Sequence, residues 1–188
     1  MKLKLKEIVE NFLPAAEFCN FEPLSGGASS DVFLIEAKQN NTKIKLVLRY
    51  EAGPPSKNDI KNEFTLLQAL ANTNIPSAEP LFIDTSCKIL DRPFMLLSFL
   101  EGDINITNAD NLDLNTKMID QLKCIHSIDL AQLPDLPIQI DPMKGLLEYL
   151  PKADEWMELR NYLSSLKNTA FEGQRVFLHG DFWPGNIL

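Results

Sequence analysis

The chain has 188 residues, of which 45% are apolar and 23% are charged, a composition typical of a globular protein that can bury a core. Its 26 acidic and 18 basic residues give a formal charge of −8, which argues against nonspecific binding to nucleic acid or to an anionic membrane. Three widely spaced cysteines fit neither a disulfide framework nor a zinc site, and the N-terminal region resembles neither a signal peptide nor a membrane span, so we expect a cytoplasmic protein.

The first hundred residues predict a leading helix, five strands and a second helix. The leading helix is expected to end near Pro14 and to pack against a sheet edge, and its apolar residues recur at roughly helical spacing: Leu3, Ile8, Val9, Phe12 and Leu13. Apolar runs between turn signals predict strands at 21–24, 31–36, 43–49, 79–84 and 93–100, with a hairpin turn at 39–42. The second helix is predicted from Lys57 to about Asn72.

A turn of small residues joins the first two predicted strands at 25–30. Gly26 and Gly27 allow a backbone to approach a ligand closely, and Ser29 adds a hydroxyl donor, so this turn can lie over phosphate groups. A purely structural hairpin turn is the alternative interpretation, because Gly-Gly pairs are common in hairpins.

The third predicted strand alternates, which separates its residues onto two faces. Ile44, Leu46 and Leu48 share one face, while Val47 and Arg49 share the other. An apolar residue that covers a base, followed two residues later by a cation that contacts phosphates, would form one side of a nucleotide site. A solvated surface arginine is the alternative interpretation for Arg49.

An acidic residue interrupts the apolar stripe of the second helix. Glu63 follows Ile60 by three residues and precedes Leu67 by four, so it lies on or beside the buried side, where an unpaired carboxylate is costly. Arg49 is the natural partner. We therefore predict an ion pair with a nitrogen–oxygen distance within about 4 Å.

The second half of the sequence is predominantly helical. A polar break at 101–103 separates the strands from helices predicted at about 111–130 and 154–167. His126 falls on the apolar side of the first of these helices, where a core histidine is the favoured interpretation. The acidic residues of this half are expected in solvent, and contact with a cationic substrate is the alternative.

The end of the sequence places two polar side chains in one loop. Residues 176–178 predict a short strand, His179 begins a turn out of it, and a second turn at 184–185 brings Asn186 beside Asp181. A carboxylate can accept the proton of a substrate hydroxyl, and a carboxamide oxygen can bind a cation that bridges phosphates. In the alternative interpretation these residues only form and cap the turn.

The motif His-Gly-Asp-x-x-x-x-Asn at 179–186 resembles the catalytic loop of the aminoglycoside phosphotransferase and choline kinase superfamily. The resemblance implies that Asp181 is the catalytic base, that Asn186 binds magnesium and that His179 holds the loop. It also implies an ATP site that includes the hinge backbone and is formed by these residues: Gly26, Gly27, Ser29, Val47, Arg49, Glu63, Ser98 and Leu100. Arg49 stands where these families have lysine, which keeps the charge but changes the shape of the phosphate contact.

This resemblance implies an α+β, protein-kinase-like fold with two lobes. A nucleotide-binding lobe at 1–98 has five antiparallel strands and one helix, 99–103 is a hinge, and 104–188 is an incomplete helical lobe. The implied function is transfer of the γ-phosphate of ATP, with Mg²⁺, to a hydroxyl of a small molecule.

Two other hypotheses remain open. In the family the pattern continues beyond the position of Leu188 with a strand that carries a metal-binding Asp, and we expect the codons that follow to encode it. A truncated remnant or nucleotide-binding module without catalysis is therefore the first alternative. A globular protein without any nucleotide site is the second, and the absence of an ATP-dependent shift in melting temperature would support it.

Overall fold

A computed structural model describes residues 1–24, 30–51, 60–102, 112–136, 142–166 and 173–186. The elements of the first part of the chain are α1 (Lys2–Phe12), β1 (Ala16–Leu24), β2 (Ser30–Gln39) and β3 (Thr42–Glu51). The elements that follow are α2 (Ile60–Leu70), β4 (Pro80–Asp84), β5 (Phe94–Ser98), α3 (Leu112–His126), α4 (Pro142–Tyr149) and α5 (Met157–Ser165).

Five strands in the described part of the chain form one antiparallel sheet, in the order β1-β2-β3-β5-β4. The turn between β2 and β3 contains Asn40 and Asn41, whose φ angles are 49° and 64°. Two consecutive residues with positive φ are typical of a type I′ turn, whose twist matches that of a hairpin, and asparagine tolerates this region better than most residues. The predicted hairpin is confirmed.

Both edge strands of this sheet are irregular. The pairing of β1 with β2 shifts its register between Phe18 and Asn20, and β1 also contains Pro23. The pairing of β4 with β5 shifts between Pro80 and Phe82. Proline has no N–H to donate to a neighbouring strand, so it is tolerated at such edge positions.

The alternation predicted in β3 sends its side chains to two separate apolar clusters. Leu46 and Leu48 are buried in a cluster that includes α1 and residues of β2 and β5. Val47 packs on the other face, against a cluster of four buried residues from α2 and β5: Ile60, Phe64, Met95 and Leu97. The face that carries Val47 and Arg49 is therefore the face on which α2 lies.

Helix α1 packs on a face of the sheet, whereas the sequence predicted an edge. Its fully buried residues belong to the same cluster as residues of β2, β3 and β5: Leu5, Ile8 and Val9. Phe12 stacks on Phe82 of β4, with ring centroids 3.8 Å apart. Leu3, which was predicted on the apolar stripe, is 83% exposed, because residues two apart, such as Leu3 and Leu5, point to different sides of a helix.

The second half differs from the sequence prediction in four places. The helix predicted at about 111–130 ends at His126, and Leu130–Gln132 forms a separate 3₁₀ turn capped by Asp129. Helix α4 was not predicted, since Gly145 within it weakens the helical pattern. The helix predicted at 154–167 begins as a single 3₁₀ turn, Asp154–Trp156, and continues as α5. The predicted strand at 176–178 is absent from the described residues, where this segment pairs with no other strand.

The chain divides into two compact units. One unit comprises Met1–Pro134 with Phe177–Leu188, and the other comprises Asp135–Val176. The sheet and the C-terminal loop thus belong to the same unit. Among the described helices, none is both long and apolar enough to cross a membrane. The predicted lobe boundaries at 98 and 104 stay a prediction.

An arginine caps a helix within the second unit. Arg160 of α5 donates from Nη1 to the backbone carbonyls of Leu147 and Leu150, both at 2.8 Å. These carbonyls lie at the C-terminal end of α4, where the last turn of a helix leaves carbonyl groups without intrahelical partners and favours a positive charge. Arg160 therefore fixes how α5 packs against α4.

Replacing Arg160 with Met should lower the free energy of unfolding of this unit by about 1–2 kcal/mol, because the aliphatic stem is kept while hydrogen bonds from a charged donor are lost. Urea denaturation measures the loss, and hydrogen exchange of the α4 amides locates it. Arg175→Met is the matched control, since Arg175 is an exposed arginine of the same unit. Equal stability of the two variants would contradict the capping role.

Candidate functional site

An ion pair joins strand β3 to helix α2. Arg49 Nη1 lies 2.6 Å from Glu63 Oε1, well within the predicted distance. The side chains of Arg49 and Glu63 are 35% and 28% exposed, so both charges are partly removed from water. The predicted ion pair, which was inferred from the alternation of a strand and the periodicity of a helix, is confirmed.

The apolar stripe of α2 explains why Glu63 reaches this position. Ile60 and Phe64 are buried in a cluster with Met95 and Leu97 of β5. Glu63 lies in the first turn of α2, between these two apolar residues, and β3 is the neighbour of β5 in the sheet. Apolar packing therefore carries the carboxylate to the strand that holds Arg49.

Burial raises the pKa of the Glu63 carboxyl above its ordinary value of 4.5, and the Arg49 guanidinium lowers it without cancelling the effect of burial. The charge on Glu63 therefore depends on its partner. Arginine has five N–H donors in a planar fork, and the contact with Glu63 uses Nη1. Glu63 can thus orient the guanidinium while other donors remain for a phosphate group.

Among the other predicted nucleotide-binding residues, Val47 on β3 belongs to the described part of the chain, whereas those of the glycine turn do not. Val47 lies on the same face as Arg49, two residues before it, and packs against the α2 cluster while remaining partly exposed. Its position allows it to cover a base. Gly26, Gly27 and Ser29 lie outside the described residues, and their contact with phosphates stays a prediction.

The two predicted hinge residues, Ser98 and Leu100, differ in whether their backbones take part in strand pairing. The Ser98 N–H donates to the Glu79 carbonyl at 2.9 Å, and Ser98 Oγ accepts from the Glu79 N–H at 2.8 Å. The pairing of β3 with β5 ends at Ser98. Leu100 lies two residues beyond that end, so its backbone is outside the strand pairing and is the better candidate for a hydrogen bond to a base.

Asn186 closes the C-terminal loop. Its Nδ2 donates to Asp181 Oδ2 at 2.7 Å and to the Asp181 backbone carbonyl at 3.0 Å. Its backbone N–H donates to the Trp183 carbonyl at 2.9 Å, within the 3₁₀ turn Pro184–Asn186. Gly180 has a φ of 86°, in the left-handed region that favours glycine. The predicted approach of Asn186 to Asp181 is confirmed.

The side chains of Asp181 and Asn186 are both exposed, and each uses one atom in the hydrogen bond between them. Asn186 uses its amide nitrogen on Asp181, so its Oδ1 is the atom that can bind a cation. Asp181 accepts at Oδ2, which leaves Oδ1 to accept a proton. In the described ranges, no group of three or more His, Cys, Asp or Glu could hold a metal ion, so a cation here would also need phosphate oxygens as ligands.

An aromatic contact supports the start of the same loop. The His179 ring meets Phe182 edge to face, with centroids 5.4 Å apart and planes at 77°. This contact agrees with a role for His179 in holding the loop. The sequence interpretation gave Phe182 no role, although an aromatic residue three positions after the histidine in a tight loop is a usable signal.

Replacing Glu63 with Gln should change how stability depends on pH. A carboxyl whose pKa is raised by folding contributes stability that is present below its unfolded value, near 4.5, and is lost as pH rises through the folded value. The variant lacks this loss, so its stability relative to wild type should rise across that window. Denaturation between about pH 4 and 7 measures the difference. A stability difference between variant and wild type that is constant with pH would contradict the raised pKa of Glu63.

Residues 20–188 match the model of APH, the phosphotransferase enzyme family. A solved structure from Ralstonia eutropha, described as a candidate aminoglycoside phosphotransferase, is similar in fold, with a TM-score of 0.58 and 15% sequence identity. The match covers 86% of this chain and 47% of that one, so this chain spans about half the length of that protein. None of the curated proteins compared with the chain matches it. Because the family match extends over almost the entire sequence, the chain belongs to the phosphotransferase enzyme family, and its α+β architecture is the kinase-like fold of that family.

Proposed function

We propose that this chain serves the transfer of the γ-phosphate of ATP to a hydroxyl group of a small molecule. The observation that carries the proposal is the hydrogen bond of 2.7 Å between Asn186 and Asp181, which holds a candidate base and a candidate cation ligand in one exposed loop. Family membership supports phosphotransfer in general. The choice of ATP and of a small-molecule acceptor rests on the resemblance of residues 179–186 to the catalytic loop of aminoglycoside and choline kinases.

The nucleotide would lie along the α2 face of β3. Val47 would cover the base, the backbone of Leu100 would bind its edge, and Arg49 would contact the phosphates in the orientation set by Glu63. A guanidinium can donate two parallel hydrogen bonds to a phosphate, whereas an ammonium acts as a point charge. The arginine at this position therefore favours a two-pronged phosphate contact.

Asp181 would act on the acceptor. Its free oxygen accepts the proton as the substrate hydroxyl oxygen forms a bond to the γ-phosphorus, while the bond from that phosphorus to the β–γ bridging oxygen breaks and ADP leaves. Asn186 Oδ1 would hold Mg²⁺, which neutralises charge on the phosphates when it is bound. The chain's own contribution is to place the base and the amide oxygen in one loop of fixed geometry.

A nucleotide-binding module without catalysis is the second candidate. It is favoured by the donor set, since the described residues offer Asn186 and Asp181 but no cluster of three metal-binding side chains. Such a module would bind ATP through the Arg49 side of the site and would transfer no phosphate.

Two substitutions separate the two candidate functions. Asp181→Asn should lower the rate of phosphate transfer by about 10²–10⁴-fold while ATP affinity changes little, because Asp181 would face the acceptor and not the nucleotide. Arg49→Ala should weaken ATP binding as well as transfer, since the arginine would hold phosphates. The measurements are ATP affinity by calorimetry and transfer to acceptors found by screening.

Asp135→Asn is the control, because Asp135 is an exposed aspartate outside the proposed site. Near-normal turnover of the Asp181→Asn protein would exclude Asp181 as the base. ATP binding that depends on Arg49, without transfer to any acceptor, would favour the non-catalytic module. The absence of ATP binding to the wild-type chain would contradict both.

A further inference from the structure

A groove of about 480 Å³ lies near the start of β3, on the face of the strand that carries Val47. It lies at the end of this face that is farther from Arg49. Its charged and aromatic lining comes from β2, β3 and the segment after β5: Glu36, Lys43, Lys45, Phe99 and Glu101. Along β3, Lys45, Val47 and Arg49 follow one another on the same face, about 7 Å apart. The groove therefore continues the proposed nucleotide site on the side away from the phosphates.

One lysine in this groove contacts both neighbours of Leu100. Lys45 Nζ lies 5.0 Å from the centroid of the Phe99 ring, which is a cation–π distance. The same ammonium lies 3.7 Å from Glu101 Oε1. Strand pairing between β3 and β5 ends at Ser98. The two contacts of Lys45 therefore attach residues 99–101 to β3 beyond the end of the paired strands.

We propose that Lys45 is a positioning residue that holds residues 99–101 against β3 and thereby sets the backbone of Leu100 for contact with a nucleotide base. The inference rests on the proposed nucleotide site. The polypeptide between Phe99 and Glu101 has Leu100 at its centre, so anchoring the residue on each side restricts where its N–H and carbonyl point. Lys45 would touch neither the base nor the phosphates.

The expected size of this effect is modest. Glu101 is 84% exposed and Lys45 is 47% exposed, so their ion pair is well solvated and contributes little alone. The ring contact adds a second, directional attraction of similar size. Together they predict a loss of about three- to tenfold in affinity for a ligand that uses the base contact, and almost none for a ligand that binds only through phosphates.

The first test follows the segment itself in the nucleotide-free protein. Lys45→Met keeps the aliphatic stem and removes the charge, so hydrogen exchange of the peptide that contains 99–102 should become faster. Lys43→Met is the matched control, because Lys43 lines the same groove two residues earlier, and it should leave this peptide unchanged. Lys45→Arg, which keeps a cation over the ring, should leave exchange at the wild-type rate. Unchanged exchange in Lys45→Met would overturn the inference.

The second test compares ATP with inorganic triphosphate in a binding assay. Lys45→Met should weaken ATP binding about three- to tenfold and triphosphate binding less than twofold. Faster exchange with unchanged ATP affinity would overturn the positioning role, and equal losses for both ligands would assign Lys45 to phosphate binding instead. If the wild-type chain binds neither ligand, the proposed function fails, and the exchange result alone then decides whether Lys45 holds the segment.

Discussion

A partly buried carboxylate beside a strand arginine is the constraint on which the proposed nucleotide site depends. Apolar packing places Glu63 where water solvates it poorly, and Arg49 is the group that makes this position tolerable. Such a pair adds little to the stability of the fold, because the cost of desolvating two charges offsets their attraction. Its effect lies in orientation: the guanidinium is held in one direction by a helix that the core holds in place.

The pleat of β3 places core residues on one face of the strand and candidate site residues on the other. Leu46 and Leu48 point into the cluster that includes α1, while Lys45, Val47 and Arg49 point to the opposite face. Successive residues of one strand thus serve different purposes, and substitutions on the two faces should have different consequences. A truncation at Leu48 would leave a cavity in the core, whereas a change at Arg49 would act first on binding.

Local patterns in the sequence predicted the parts of the site whose partners could be read from periodicity or turn chemistry. The ion pair of Arg49 with Glu63 follows from two hydrophobic periods, and the closed loop at 179–186 follows from its glycine and proline residues. Features that depend on partners distant in the sequence were harder to predict. The apolar run at 176–178 has no strand partner in the described residues, and the role of the Ser98 N–H is set by Glu79, which immediately precedes β4.

The irregular edges of the sheet bear on how this protein behaves at high concentration. Aggregation through β-structure needs an open row of backbone donors and acceptors on which a foreign strand can pair. Pro23 lies within β1 and Pro80 is the first residue of β4, so each edge strand contains one residue without an N–H, and the pairing of each edge strand also contains a register shift. Proline and register irregularities are features by which natural edge strands disfavour pairing with a foreign strand, and both edges of this sheet contain them.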